Sequence, residues 1–316
     1  MKIFAIGDLH LKKSWNYLPL LDELVVQIER TEPDMVVVLG DTLDTKSVIH
    51  MACLVDAINF FERLSKLAKT YVLIGNHDRP NNSDFLSGYH PFTGVKCVTI
   101  ADNVIKEDGF VFVPYVPPGR FDEALGDTDL SDVKLIFAHQ QFLGSVPDGK
   151  GDVWSMDKPM VISGHIHSHM FLENIMYTGS PVAHTFGEKS DKFVFLLDET
   201  GAILEKISLN CYKPRRELHF GFDDIKNLDV DDLADEKFNT KVVISMTRSE
   251  TAASANQKTI KALKRKLGRN FHIKCIPEER QSAPVETQTG QSFEETVVRN
   301  LEDDVYAIEV FKRLLD

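Results

Sequence analysis

Aspartates, histidines and one asparagine are gathered in five short motifs: Gly7-Asp8-Leu9-His10, Gly40-Asp41-Thr42-Leu43-Asp44, Gly75-Asn76-His77-Asp78, Ala138-His139-Gln140 and Gly164-His165-Ile166-His167. Asp8, His10, Asp41, Asn76, His139, His165 and His167 form an oxygen and nitrogen donor set without a thiolate, suited to manganese, iron, zinc or related divalent ions. With one carboxylate shared, the set suffices for two cations. Two cations about 3.5–4 Å apart can clamp a phosphate, make a nucleophile of bound water and steady both entering and leaving oxygens, as phosphoester hydrolysis requires. A lone D-x-H or H-x-H is more often structural than catalytic. The reading rests on all five motifs occurring together, each at the end of a predicted strand.

Those strands are apolar runs at 4–6, 35–39, 71–74, 133–137 and 160–162, with shorter ones at 175–177, 193–197 and 203–209. Helical periodicity falls at 18–29 and 49–67, where Leu54, Ile58, Phe61 and Leu64 recur three or four apart. Strands alternating with helices indicate an α/β fold, here two sheets flanked by helices. Loops at the carboxyl ends of such strands converge on one edge, where α/β proteins bind ligands. Glycine at the start of four motifs lets the backbone turn sharply as each loop leaves its strand.

The 316 residues allow one large domain, 1–212, and an appendage. A small α/β unit is expected over 213–276, with strand 241–246, helix 253–267 ended by Gly268, and strand 271–276. A polar linker follows at 277–291. A helix over 292–316 opens with the capping pair Ser292 and Glu295 and carries Val297, Leu301, Val305, Ile308, Phe311 and Leu315 along one face. Composition is that of a globular protein, 43% hydrophobic and 27% charged, with no run long enough to span a bilayer. The N-terminus reaches Asp8 at once with no secretory leader, and four scattered cysteines form no framework. A reducing, cytoplasmic location is expected. The net charge of −12 argues against a generic nucleic-acid binder, but a local cluster of cations can still grip phosphates.

In this order the motifs make the sequence resemble the calcineurin-like metallophosphoesterase superfamily. The resemblance implies a four-layer β-sandwich and two divalent ions, manganese foremost, with iron, zinc or magnesium as alternatives. Asp8, His10, Asp41 and His167 would hold one ion, and Asp41, Asn76, His139 and His165 the other, with Asp41 bridging. His77 would act on the leaving-group oxygen, oriented by Asp44, since an imidazole held by a carboxylate keeps one orientation and its acid form is favoured. Asp78 offers a second carboxylate for the same duty but reads first as an exposed loop carboxylate, and His169, which follows the H-x-H motif and could face the cleft, reads first as a solvated histidine. His50, His90, His184, His219 and His272 lack ligand-like neighbours and are given no role.

Gly75-Asn76-His77-Asp78-Arg79, and Tyr177-Thr178-Gly179-Ser180-Pro181 followed by Phe186-Gly187-Glu188 and Lys192, are similar to the SbcD-type (meiotic recombination eleven) nucleases. That likeness implies a DNA repair and recombination nuclease, exonuclease on duplex ends and endonuclease on single strands, with 213–276 as a capping domain. It also implies an SMC-like ATPase partner of the SbcC type docked on the helix at 292–316. Homodimerisation is expected through helices near the GNHD loop, where Phe85, Leu86, Tyr89 and Phe92 form an apolar cluster whose plainer account is ordinary core. In the cap, Lys258, Lys261, Lys264, Arg265 and Arg269 are candidate DNA contacts. Their plainer account is a solvated helix face, because Ile260, Leu263 and Leu267 supply the buried stripe. Two rival readings stand: a small-nucleotide phosphodiesterase or phosphatase of the same superfamily, and a catalytically inactive scaffold.

Overall fold

The structure, a computed structural model, describes residues 1–277 except 47, 82–84, 87, 189–190, 222–223, 225–232 and 234–236. The expected helix at 292–316, and the linker beyond Pro277, lie outside the described residues. In chain order the elements are β1 (Lys2–Ile6), α1 (Leu18–Thr31), β2 (Met35–Val38), α2 (Met51–Ser65), β3 (Lys69–Leu73), β4 (Thr99–Ala101), β5 (Ile105–Glu107), β6 (Phe110–Val113), α3 (Phe121–Leu125), β7 (Leu135–Ala138), β8 (Met160–Ser163), β9 (Met170–Leu172), β10 (Ile175–Tyr177), β11 (Val194–Asp198), β12 (Ile203–Ile207), β13 (Arg215–Phe220), β14 (Asn239–Met246), α4 (Arg248–Ala252), α5 (Ser254–Leu267) and β15 (Phe271–Cys275).

Two six-stranded sheets carry the catalytic half, ordered β12-β11-β1-β2-β3-β4 and β5-β6-β7-β8-β10-β9. Successive side chains on a strand face opposite ways. Along β1, Ile3 and Ala5 therefore enter the core between the sheets with Val37, Tyr71, Phe112 and Phe137. Phe4 and Ile6 turn the other way and meet Leu24, Ile28, Phe60 and Phe61 of α1 and α2. Tyr71 and Phe112 stack across the gap with ring centres 3.9 Å apart. The outer face of the second sheet, with Val111, Ile136, Val161 and Tyr177, is covered by Phe121, Phe142 and Trp154. Helices, sheet, sheet and an outer cover make the four α/β layers expected.

Register brings the loops together. β1, β2 and β3 run parallel with Ile6 opposite Val38 and Val38 opposite Val72, and β7 and β8 run parallel with Ala138 opposite Ser163. The five motifs thus leave neighbouring parallel strands at matching heights, three from one sheet and two from the other. The first two loops continue side by side: His10 N donates to Asp41 O and Leu11 N to Thr42 O, both at 2.9 Å.

Residues 215–275 add a parallel three-stranded sheet, β13-β14-β15, with α5 crossing from β14 to β15 over a core of Val242, Ile244, Ile260, Leu263 and Phe271. The first of these strands, β13, was not read from sequence. The apolar cluster expected to pair two copies is divided by the fold. Phe92 is buried against Phe61, Phe85 and Leu86 pack on the second sheet's core with Arg120 over Phe85, and Tyr89 alone is exposed, at 79%. Among the described residues no helix is long and apolar enough to cross a membrane.

Candidate metal centre

All seven candidate ligands meet at the carboxyl ends of β1, β2, β3, β7 and β8, in two groups that share Asp41. Asp8, His10 and His167 converge on one side, and Asp41, His139 and His165 on the other. His10 Nε2 and His167 Nε2 are 3.0 Å apart. Across the cluster, the Asn76 Oδ1 lies 3.0 Å from His139 Nε2 and 2.8 Å from His165 Nδ1. Asp41 Oδ2 stands between the groups, 3.5 Å from His10 Nε2 and 3.4 Å from His139 Nε2. Donor atoms this close are spaced like the edges of a coordination shell with bonds of about 2.0–2.2 Å. The donor set fits divalent cations, and it is the clustering of lone pairs that shows it.

Backbone geometry forces the convergence. His10, Asp41 and His165 adopt left-handed φ values of 46°, 48° and 75°. Gly75 is required, since a Cβ there would lie 2.2 Å from both the N and Oδ1 of Asp41. The second oxygen, Asp41 Oδ1, accepts from the His77 N–H at 2.7 Å, and the Asp8 carboxylate accepts from the His165 N–H at 3.0 Å. His139 donates Nδ1–H to Leu39 O at 2.7 Å, which fixes its tautomer and aims Nε2 at the cluster.

Charge in the cluster is poised for a cation. Burial pushes the Asp8 carboxyl up, only partly offset by His139. Burial acts on Asp41 in the same direction, but His139 and His10 outweigh it and hold that carboxyl below its ordinary range. Burial opposes a proton on His139, yet Asp41 and Asp8 raise it to about 9, while burial and the charge on His139 depress His165 to about 3.

His77 and Asp44 are close together, but not as expected. His77 Nδ1 donates to the main-chain carbonyl of Asp44 at 2.6 Å, whereas the Asp44 carboxylate accepts from Lys12 Nζ at 2.9 Å and sits 3.7 Å from His10 Nδ1. Orientation of His77 therefore comes from a backbone oxygen. The His77 ring meets the His10 ring edge-on at 4.7 Å, and a ring atom also lies within reach of His10 and Asp41.

Asp78 is not an exposed carboxylate. It is 2% exposed and accepts from the N–H groups of Thr42, Leu43 and Gly75 at 3.2, 3.0 and 3.0 Å, clamping the second loop to the third. Burial and the Asp41 charge raise it to about 6. His169 is half-buried, held by Tyr177 O at 2.8 Å and packed on Phe195. Lys258, Lys261, Lys264 and Arg265 lie on the solvent face of α5.

Three residues without an assigned role support the centre. Glu188 faces His167 Nδ1 at 3.3 Å and is held by Lys192 Nζ at 2.7 Å, and Lys192 also donates to the His167 carbonyl. Burial would raise the Glu188 carboxyl, but His167 and Lys192 together carry it well below its usual range. His184 hydrogen-bonds the Asp8 carbonyl at 2.9 Å and lies edge-on to His10 and His167, at 4.8 and 5.3 Å. Their only sequence signal is the stretch from Gly179 to Lys192. A carboxylate behind a ligating imidazole fixes its tautomer and basicity. Glu188→Gln is accordingly expected to weaken divalent-metal binding about 10- to 100-fold in an ion titration; unchanged affinity would show that His167 does not depend on it.

Known proteins similar to this chain point to one family. The profile of the family "Calcineurin-like phosphoesterase" matches residues 1–190. Two viral proteins whose names assign them provisionally to the phosphoesterases are similar along most of their length. The 078R protein of Invertebrate iridescent virus 3 is 36% identical over 238 residues, 70% of this chain and 69% of that protein. The 244L protein of Invertebrate iridescent virus 6 is 42% identical over 214 residues, 62% of this chain and 75% of that protein. Among solved structures, the phosphoesterase Yfce from E. coli overlaps 66% of this chain and 100% of its own, with 12% identity and a TM-score of 0.33. On the family profile, which covers more than half of the sequence, and on these two viral relatives, the chain belongs to the calcineurin-like phosphoesterase family.

Proposed function

We propose that this phosphoesterase is a DNA nuclease of the SbcD type, working with two divalent cations, manganese foremost. The observation that carries the two-cation reading is the shared Asp41 oxygen, 3.5 Å from one histidine group and 3.4 Å from the other. Bound cations would supply positive charge to the phosphate and lower the pKa of a water nucleophile. The protein's own part is orientation. Asp41, held through Oδ1 by the His77 N–H, keeps both groups in register. His77, with Nδ1 committed to the Asp44 carbonyl, presents its other nitrogen for proton transfer to the leaving oxygen. Beside the centre, a cleft lined by Lys12, Arg215, Lys241 and Arg269 lies against the domain at 215–275, and its cations suit an anionic substrate. Pairing of two copies and docking of an SbcC-type ATPase on the helix expected at 292–316 belong to the same proposal.

One observation favours the rival, a small-nucleotide phosphodiesterase: the net charge of −12 repels a long polyanion. A manganese-dependent assay on linear duplex and single-stranded DNA, run beside cyclic nucleotides and bis(p-nitrophenyl) phosphate, separates them. The expected result is cleavage of DNA that a chelator abolishes. Turnover of the small esters with DNA untouched would refute the nuclease and leave the phosphoesterase.

A further inference from the structure

A sixth loop reaches the centre without carrying a metal donor. β6 lies parallel to β7 with Val113 opposite Ala138, and the chain leaves it through Pro114-Tyr115-Val116-Pro117-Pro118. Each proline fixes its own φ and holds the residue before it extended, so this loop has little freedom to lose on folding. It is tied on both sides. The Tyr115 N–H donates to Ile74 O at 2.8 Å, just before Gly75, and the Val116 N–H donates to Gln140 Oε1 at 3.3 Å, one residue beyond His139. Gln140 is anchored in turn by donating to Asp152 at 2.6 Å.

This places the Tyr115 side chain, 5% exposed, against two of the ligand histidines. Its ring centre lies 5.8 Å from that of His165 with the planes 31° apart, and 6.2 Å from that of His139, edge-on. Both are favoured arrangements for packed rings. The contact with His165 carries the weight, because of how that histidine is otherwise held. His139 and His167 are each steadied on the nitrogen facing away from the cluster, by Leu39 O at 2.7 Å and by Glu188 at 3.3 Å. His165 turns Nδ1 inward, to Asn76 Oδ1 at 2.8 Å and His139 Nε2 at 3.3 Å, and among the described residues no group accepts from its Nε2. With Nδ1 committed to a cation, the Asn76 contact no longer fixes that atom. Flat packing is then what orients the ring.

We infer that Tyr115 is a positioning residue for His165: its ring sets the torsion of that imidazole, and with it the cation affinity of the group formed by Asp41, Asn76, His139 and His165. The other group has a charged brace of its own in Glu188 and Lys192. The two halves are thus tuned by separate residues, one by charge and one by shape. The inference rests on the two-cation reading above.

The test is a manganese titration of the full chain, followed by loss of the free-ion electron paramagnetic resonance signal and by the exchange-coupled spectrum of a filled pair. The wild type should take up two ions. Tyr115→Leu, which keeps apolar volume but not the flat ring, should spare one binding event and weaken the other about 10- to 100-fold, the range for residues that orient a metal ligand. The coupled spectrum should vanish at a manganese concentration where the wild type shows it. Tyr115→Phe should restore both events, and Glu188→Gln added to Tyr115→Leu should weaken the event that Tyr115→Leu alone spares. The inference is overturned if Tyr115→Leu binds both ions as wild type does, if Tyr115→Phe fails as Tyr115→Leu does, or if both events weaken equally. Failure of the underlying reading looks different: the wild type itself would take up a single ion.

Discussion

Asp41→Ala is expected to remove bound metal from both groups at once and reduce hydrolysis of any phosphodiester to background. One carboxylate oxygen lies 3.5 Å from His10 Nε2 and 3.4 Å from His139 Nε2, so this side chain can serve both groups. Its second oxygen accepts the His77 N–H, and the variant also loses the anchor of the third loop. Asp41→Asn is the informative companion, because it keeps the shape and removes the charge that two cations need. Elemental analysis alongside turnover reads both effects. Wild-type turnover in Asp41→Ala would overturn the shared-ligand assignment altogether.

His77→Ala should lower turnover by roughly 100- to 10,000-fold, the range for loss of a positioned acid or base, while metal content stays that of the wild type. Geometry alone leaves His77 near enough to His10 and Asp41 to ligate. Its Nδ1 is engaged by the Asp44 carbonyl at 2.6 Å, as His139 Nδ1 is by Leu39 O, so Nε2 is the free atom and metal content decides between ligation and proton transfer. The deficit should shrink for bis(p-nitrophenyl) phosphate, whose nitrophenolate departs without a proton, and be full for DNA, whose alkoxide needs one. Loss of a metal from His77→Ala, or an equal deficit on both substrates, would reassign it as a ligand.

The ligand loops were legible because strand, glycine and polar residue are adjacent in sequence, and parallel strands in register carry that local order into one place. Strands β4, β5, β9 and β13 are edge strands or short ones of three to six residues, half-buried, and their sequences carry little periodicity to read. Residues that act on another loop were illegible for a different reason. Asp78 sits in a motif that reads as loop, and its burial depends on three N–H groups from the second and third loops. Asp44 meets His77 through its main-chain carbonyl and not its carboxylate, a distinction that sequence does not carry. Glu188 lies 21 residues from His167 and becomes its partner only when the chain folds back. The basic run along α5 and the turn after it illustrates the converse: it is conspicuous in sequence, yet of its candidate contacts only Arg269, beyond the helix end, lines the cleft.

The left-handed backbone at His10, Asp41 and His165 has a thermodynamic consequence. That conformation costs an L-residue about 1–2 kcal/mol, and two buried carboxylates close to one another add to the burden. Without cations the chain folds against its own centre, and cation binding to the native state returns free energy that grows with the logarithm of free cation above its dissociation constant. The melting temperature should therefore track metal supply, and mutations that abolish the centre can make the bare protein harder to unfold. Stability and competence are set in opposition at the same few residues, so selection for one, in evolution or in the laboratory, draws on the other.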